Sequence, residues 1–188
     1  MPGFEVRSSA TVHQAGFLDV DELTIADPDG GEFTRYVVRH PGAVVVVPVD
    51  RATGRALLVR QYRAPIDTDL LELPAGKRDV DGEPPEVTAV RELEEETGFT
   101  AATVVPLARF YNSPGFCDEL THVFLATDLD AVEAEFERKA EEQHLTLEWV
   151  DLDGVGQLVS IGAVADAKTI IGLTLARAYL AGAFAGLA

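Results

Sequence analysis

Residues 91–100 read RELEEETGFT and end a predicted helix with four glutamates followed by a glycine. Gly98 is the predicted C-terminal cap, because glycine readily adopts the left-handed conformation with which many helices end. The C-terminal end of a helix carries partial negative charge, so each exposed and unpaired carboxylate there costs about 0.3–1 kcal/mol. The sequence therefore concentrates negative charge at the end of the helix that disfavours it, which raises the question of what compensates that charge.

Three of these glutamates, Glu92, Glu95 and Glu96, are spaced i, i+3 and i+4 and share one face of the helix. Their mutual repulsion destabilises the last turn unless a cation lies among them. Mg²⁺ fits best, because it prefers carboxylate oxygens and pairs with substrate phosphates. An exposed acidic helix is the alternative interpretation of the same residues. Acidic residues at the C-terminal end of a helix nonetheless violate a local preference, and such an isolated violation is typical of a functional site.

Composition and charge narrow the class of protein. The 188 residues carry 32 acidic and 15 basic side chains, a net charge of −17, which disfavours binding to nucleic acid or to anionic membranes. Cys117 is the only cysteine, so no intramolecular disulfide can form, and the composition suits a reducing cytoplasm. No basic segment followed by an apolar run begins the chain, and no uncharged run reaches the ~20 residues of a membrane span. We expect a cytoplasmic protein without a signal peptide.

The strand and turn pattern predicts an α+β chain in two parts. Residues 1–40 read as a β-rich segment of short strands, in which DPDGGEFTRYVVRH forms a hairpin. Residues 41–188 form the main domain. Its first strand, AVVVVPVD, is a continuous β-branched run, which indicates a strand covered on both faces. The following strand, ALLVRQYR, pairs with it through the turn RATGR.

Two long helices are predicted in the main domain, while TLEWVDLDGVGQLV is a predicted strand leading into a helix start and AEFERKAEEQHL is a charged loop or short helix. The first begins at Pro84 and Pro85, where a helix loses no backbone donor, and ends at the glutamate cluster. Its inward stripe consists of apolar or small residues at i, i+3, i+6 and i+10, namely Val87, Val90, Leu93 and Thr97. The last helix is apolar on most sides and begins near Ala163.

The stretch from Gly76 to Phe99, GKRDVDGEPPEVTAVRELEEETGF, closely resembles the Nudix box of the Nudix hydrolases. That signature is a glycine, five residues, glutamate, seven residues, and then Arg-Glu-apolar-x-Glu-Glu-x-Gly-apolar. Seven residues separate Glu83 from Arg91, and every later specified position matches, including Gly98. The one departure is that six residues, instead of five, separate Gly76 from Glu83. The extra residue lies in a predicted loop, where an insertion is easily absorbed.

The resemblance implies a hydrolase of nucleoside diphosphates linked to another group, on the Nudix fold of a mixed β-sheet sandwiched between helices. It also implies that the acidic helix binds Mg²⁺, with Mn²⁺ as the alternative. The implied metal ligands are oxygen atoms of the box and of the residue before it, namely Glu92, Glu95, Glu96 and the backbone carbonyl of Ala75. Glu83 supports the metal ligands or Arg91, and Arg91 orients a carboxylate such as Glu95. Metals neutralise pyrophosphate charge and activate water, and a carboxylate, for which Glu95 is one candidate, then orients that water.

Residues outside the box resemble the ADP-ribose pyrophosphatase branch of the family. Pro114 lies sixteen residues beyond Gly98, at about the position where that branch has a proline, and the stretches QYR, ELPAG and SPGF also look like that branch. The resemblance implies that the β-rich N-terminal segment exchanges with a partner subunit in a homodimer. The expected reaction is therefore hydrolysis of ADP-ribose to AMP and ribose 5-phosphate, with Mg²⁺ required.

The same branch places its catalytic base on a loop after the box. The matching stretch is KAEEQHLTLEW, in which Glu142 is the preferred base and Glu141 its close rival. Five residues are candidates for contacts with the substrate: Arg63 and Arg39 with its phosphates, Arg35 and Tyr36 with its adenine end, and Pro114. A solvated charge cluster, for the two glutamates, and ordinary ion pairs, for Arg63 and Arg39, are the alternatives.

Two other functions fit the same motif. The first is the same chemistry on another nucleoside diphosphate derivative, because the box does not select the substrate. The second is a non-catalytic Nudix module that senses a nucleotide. Such modules tend to lose box glutamates or to carry a DNA-binding domain, whereas this chain keeps its glutamates and is strongly acidic.

Overall fold

The computed structural model describes residues 3–133 and 144–184, and the chain divides into two compact units. The first unit comprises Met1–Gly42 and Phe110–Thr121, and the second comprises Ala43–Arg109 and His122–Ala188. The first unit is built on an antiparallel sheet, and the second contains a larger sheet together with the helices. The residues proposed from the sequence are distributed over both units.

The sheet of the first unit has three antiparallel strands in chain order: β1 (Glu5–Ala15), β2 (Leu18–Ala26) and β3 (Glu32–Arg39). The predicted hairpin is present between β2 and β3. The Asp27 carboxylate shapes its turn by accepting the backbone N–H groups of Asp29 and Gly31 at 2.8 and 2.9 Å. The prediction of short strands is wrong for β1, which has 11 residues and is exposed along its whole length. Backbone pairing with β2 rather than an apolar pattern sustains that length.

The second unit is organised around a mixed seven-stranded sheet. Its strands are β4 (Ala43–Asp50), β5 (Arg55–Arg63), β6 (Thr68–Glu72), β7 (Ala75–Lys77), β8 (Phe99–Tyr111), β9 (Leu120–Ala131) and β10 (Thr146–Asp151). The order is β10-β5-β4-β9-β8, with β6 paired to β5 and β7 paired to β4. The predicted hairpin of β4 and β5 is present, with Val49 opposite Ala56.

Strand β4 is central because helices cover both of its faces. Val44 and Val46 pack in one cluster with Ala89 and Leu93 of the first helix. Side chains alternate along a strand, so Val47 points to the opposite face. There it lies close to Gly172 of the last helix. The double coverage predicted from the valine run is confirmed, and it explains why nearly every residue of β4 is buried.

The described part of the second unit contains three α-helices: α1 (Pro85–Thr97), α2 (Val155–Ser160) and α3 (Ala167–Leu180). Helix α1 ends as predicted, with Gly98 at φ 73°. The inward stripe is wrong at Val87, which is half exposed, because the smaller Thr88 and Ala89 occupy the buried positions of that turn. Helix α3 begins four residues later than predicted, since Asp166 caps it by accepting a backbone N–H. Within residues 3–133 and 144–184, no helix is long and apolar enough to cross a membrane.

Candidate active site

The carboxylates of Glu92 and Glu96 lie against the backbone at the start of β7. Ala75 donates its N–H to Glu96 Oε2 at 3.1 Å. Gly76 lies so close to Glu92 that a Cβ at residue 76 would overlap the carboxylate of Glu92. Both glutamates are only 5% exposed. The glycine that opens the motif is therefore needed for close approach of a carboxylate, and its φ is not in the left-handed region.

Arg91 holds three carboxylates of the motif together. Its guanidinium donates to Glu83 at 3.2 and 3.4 Å, to Glu92 at 2.9 Å and to both oxygens of Glu95 at 3.4 Å. Burial alone would lower the pKa of Arg91, but the hydrogen bond with Glu83 and the charges of Glu92 and Glu95 raise it. The hydrogen bond with Arg91 is also the main reason that the pKa of Glu83 lies below its usual value. Glu83 reaches Arg91 despite the extra residue in the preceding loop.

Arg63 forms a two-pronged ion pair, as the ion-pair alternative anticipated, although its partner was not identified from the sequence. Its Nε and Nη2 donate to the two oxygens of Glu72 at 2.7 and 2.6 Å. Glu72 is 1% exposed, so this is a buried carboxylate with a half-buried partner. The hydrogen bond with Glu72 is the largest cause of the raised pKa of Arg63, and the charges of Glu96 and Asp166 add to it. An acidic residue inside the apolar run DLLELP was the available signal, because a buried carboxylate needs a partner.

Four of the proposed substrate residues belong to the first unit. Arg39 pairs with Asp21 at 2.9 Å and with Asp118 at 3.0 Å, as the ion-pair alternative anticipated. Tyr36 donates its hydroxyl to Glu22 at 2.7 Å.

Arg35 and Pro114 line one cavity of about 520 Å³ in this unit. Four aromatic side chains also line it: Phe4, Phe33, Tyr111 and Phe116. The Arg35 guanidinium lies 4.6 Å from the centre of the Phe33 ring, a cation–π distance. The first unit therefore contains a cavity with aromatic and cationic walls, which suits a flat, electron-rich group.

The donor set near α1 fits a hard divalent cation. Glu92 and Glu96 supply carboxylate oxygens beside the consecutive residues Ala75 and Gly76, while Glu95 is turned towards Arg91. Within the part of the chain that the structure describes, no group of three or more His, Cys, Asp or Glu side chains is arranged as a metal site. Glu92, Glu96 and the backbone beside them are the described groups that would hold such a cation. Glu141 and Glu142, the proposed bases, lie outside the described residues.

Comparison with known proteins gives one family. The NUDIX domain description matches residues 39–170. An ADP-ribose pyrophosphatase of Bacillus subtilis (strain 168) is 45% identical over 142 residues, which cover 76% of this chain and 75% of the relative. An ADP-ribose pyrophosphatase of Mycobacterium tuberculosis (strain ATCC 25618 / H37Rv) is 38% identical over 179 residues, 95% of this chain and 86% of the relative. A crystal structure described as an ADP compounds hydrolase superposes with a TM-score of 0.85 over 97% of each chain, at 22% identity, which speaks for the fold.

Replacing Gly76 with alanine is expected to displace the Glu92 carboxylate, because the added Cβ would occupy its place. We expect the affinity for Mn²⁺ to fall about 10- to 100-fold, as when a group supporting a metal ligand is lost. Electron paramagnetic resonance of free Mn²⁺ during a titration measures this affinity. Gly156→Ala is the matched control, since no described atom lies within 4 Å of a Cβ there. Unchanged Mn²⁺ affinity in Gly76→Ala would contradict a role for Glu92 in metal binding.

Proposed function

The chain belongs to the Nudix hydrolase family, and on that premise we propose that it hydrolyses the pyrophosphate of ADP-ribose and related ADP-sugars. The products are AMP and ribose 5-phosphate, and the reaction requires a divalent cation, Mg²⁺ or Mn²⁺. The two relatives named ADP-ribose pyrophosphatase support the substrate class. The single observation that carries the chemistry is the burial of two box carboxylates against the Ala75–Gly76 backbone.

Glu92, Glu96 and the backbone carbonyl of Ala75 would hold the cation, which supplies charge neutralisation of the pyrophosphate and a bound water of lowered pKa. Arg91 keeps Glu92 and Glu95 in place through its hydrogen bonds. Glu95 is thus a candidate third ligand, or a carboxylate that orients the water. These assignments use oxygen donors only, as Mg²⁺ prefers.

Arg63 is the candidate phosphate contact in the same unit as α1. Glu72 engages its Nε and Nη2, so the remaining nitrogen, Nη1, is available for a phosphate oxygen. Its side chain is 36% exposed, which leaves a route to solvent. The charges of Glu96 and Asp166 favour its protonated form, as binding to an anion requires.

Three residues are proposed to recognise the adenosine end of the substrate. Arg35, Tyr36 and Pro114 are the candidates, and the aromatic cavity that Arg35 and Pro114 share suits a purine ring. Arg39, although paired with Asp21 and Asp118, keeps a half-exposed guanidinium that can meet a phosphate. We assign residues 1–40 to dimerisation and residues 41–188 to hydrolysis.

Purified protein incubated with ADP-ribose and Mg²⁺ is expected to release AMP and ribose 5-phosphate, separable by ion-exchange chromatography. Glu96→Gln should lower kcat about 100-fold or more, because it removes a charged metal ligand, while ADP-ribose still binds. Glu94→Gln, on the same helix but outside the proposed ligand set, is the matched control and should keep its activity.

The outcome of a substrate panel separates the alternatives. Turnover of another nucleoside diphosphate derivative, with none of ADP-ribose, would replace the substrate but keep the chemistry. Tight nucleotide binding without turnover of any panel member would instead favour the nucleotide-sensing module.

Glu142→Gln is expected to lower kcat about 10²- to 10⁴-fold, the contribution of a general base. Glu141→Gln should retain most of the activity, and the two variants are isosteric with their parents. Single-turnover kinetics at saturating Mg²⁺ measures the chemical step. A large loss in Glu141→Gln with full activity in Glu142→Gln would exchange the two roles.

The protein is expected to sediment as a homodimer, because β1 presents 11 exposed residues that a partner subunit would cover. Sedimentation velocity at micromolar concentration measures the mass. Deletion of residues 1–15 should yield a monomer with lower activity. A stable, fully active monomer of the whole chain would remove the dimer from the proposal.

A further inference from the structure

The N-terminal half of helix α3 packs against Leu73, two residues before Ala75. Gly172 permits this contact, since a Cβ built on it would lie 2.5 Å from Leu73 Cδ1 and 3.2 Å from Val47 Cγ2. Leu73 is fully buried beneath the helix. The absence of a side chain at residue 172 therefore lets α3 approach the segment between β6 and β7 closely.

That approach brings a threonine hydroxyl to a backbone donor. Leu73 donates its N–H to Thr169 Oγ1 at 2.9 Å, across 96 residues of sequence. Thr169 donates its hydroxyl to Asp166 Oδ2 at 2.8 Å, and the Thr169 N–H reaches the same oxygen at 2.8 Å. Thr169 is fully buried, so no water competes for these bonds. The hydroxyl proton is committed to Asp166, and the oxygen lone pairs are left to accept from Leu73.

Asp166 is held in the ionised state that this arrangement needs. Burial would raise its pKa, but the charge of Lys168 and the hydrogen bonds from Lys168 and Thr169 lower it below the usual value. Lys168 Nζ lies 2.8 Å from Asp166 Oδ1, so the second oxygen is also occupied. A carboxylate fixed on both oxygens determines the direction of the Thr169 hydroxyl.

The backbone from Leu73 to Ala75 is consequently held at three successive residues by three different elements. Thr169 of α3 holds the N–H of Leu73. Val46 of β4 donates its N–H to the carbonyl of Pro74 at 2.9 Å. Ala75 donates its own N–H to Glu96 of α1 at 3.1 Å. Leu73 is two residues from Ala75, so its bond to Thr169 restrains the backbone that leads into Ala75.

We propose that Thr169 is a positioning residue for the cation site, acting through Leu73 and Pro74 to set the place of Ala75 relative to Glu96. The inference rests on the proposed function only in assigning Ala75 and Glu96 to cation binding. A purely structural threonine would change the stability of the fold without a selective change in metal affinity. The distinction is measurable, because metal binding needs no substrate.

The test compares three variants of the 188-residue chain by Mn²⁺ titration, with free Mn²⁺ followed by electron paramagnetic resonance. Thr169→Val keeps the shape but removes the acceptor for Leu73, and we expect its dissociation constant for Mn²⁺ to rise about tenfold. Thr169→Ser keeps the hydroxyl and should restore the wild-type value to within about twofold. Thr174→Val is the matched control, because Thr174 is on the same helix and donates only to the Ile170 carbonyl.

Thermal unfolding of each variant without metal measures the stability of the fold. A loss of Mn²⁺ affinity in a Thr169→Val protein that is still folded therefore indicates a positioning role. Thr169→Val that binds Mn²⁺ as the wild type does, or Thr169→Ser that binds as weakly as Thr169→Val, would overturn the proposal. If Thr169→Val does not fold, Asp166→Asn is the second variant, and it should also weaken Mn²⁺ binding because it releases the Thr169 hydroxyl.

The experiments distinguish an error in the proposed substrate from an error in the role proposed for Thr169. A wild type that binds Mn²⁺ yet cleaves no ADP-sugar overturns the substrate assignment and leaves the comparison of the variants intact. A wild type that binds no Mn²⁺ overturns both.

Discussion

Burial of the Glu92 and Glu96 carboxylates against the start of β7 is the constraint on which the rest of the site depends. It requires a residue without a side chain at Gly76, because a Cβ would take the place of the Glu92 carboxylate. It requires the N–H of Ala75 to face Glu96. It also requires a cation nearby, and Arg91 supplies one from the same helix turn. Each of these requirements is met by a residue of the box or by the residue before it. This explains why so many positions of the motif require one particular residue type.

Arg91 and Arg63 each lie among several carboxylates. Arg91 is shared among Glu83, Glu92 and Glu95. Arg63 is bound to Glu72 and lies in the field of Glu96 and Asp166. Acidic surroundings of this kind favour binding of a small divalent cation.

Local sequence patterns predicted most strands and helices of the second unit. They could not predict contacts between residues that are distant in sequence. The end of α1 at Gly98 and the hairpin of β4 with β5 follow from residues that are neighbours in sequence. The pairing of Arg63 with Glu72 and the bond from Leu73 to Thr169 join residues whose proximity only the sheet creates. The start of α3 was accessible, because an aspartate directly before Ala167 is a typical N-cap. The exposure of Val87 could not be predicted, since the side of the helix that packs depends on the surface it packs against.

Burial decides between the two interpretations of the acidic helix. An acidic surface held only by solvation would keep its carboxylates in water, and its cost would be the small repulsion from the helix end, about 0.3–1 kcal/mol per group. Glu92 and Glu96 are instead 5% exposed, and removing a carboxylate from water costs several kcal/mol unless it is compensated. The larger penalty outweighs any benefit of an acidic surface. Arg91 compensates this penalty by donating to Glu92, and the N–H of Ala75 does so for Glu96. This compensated burial, which Gly76 permits, supports the cation site that we propose.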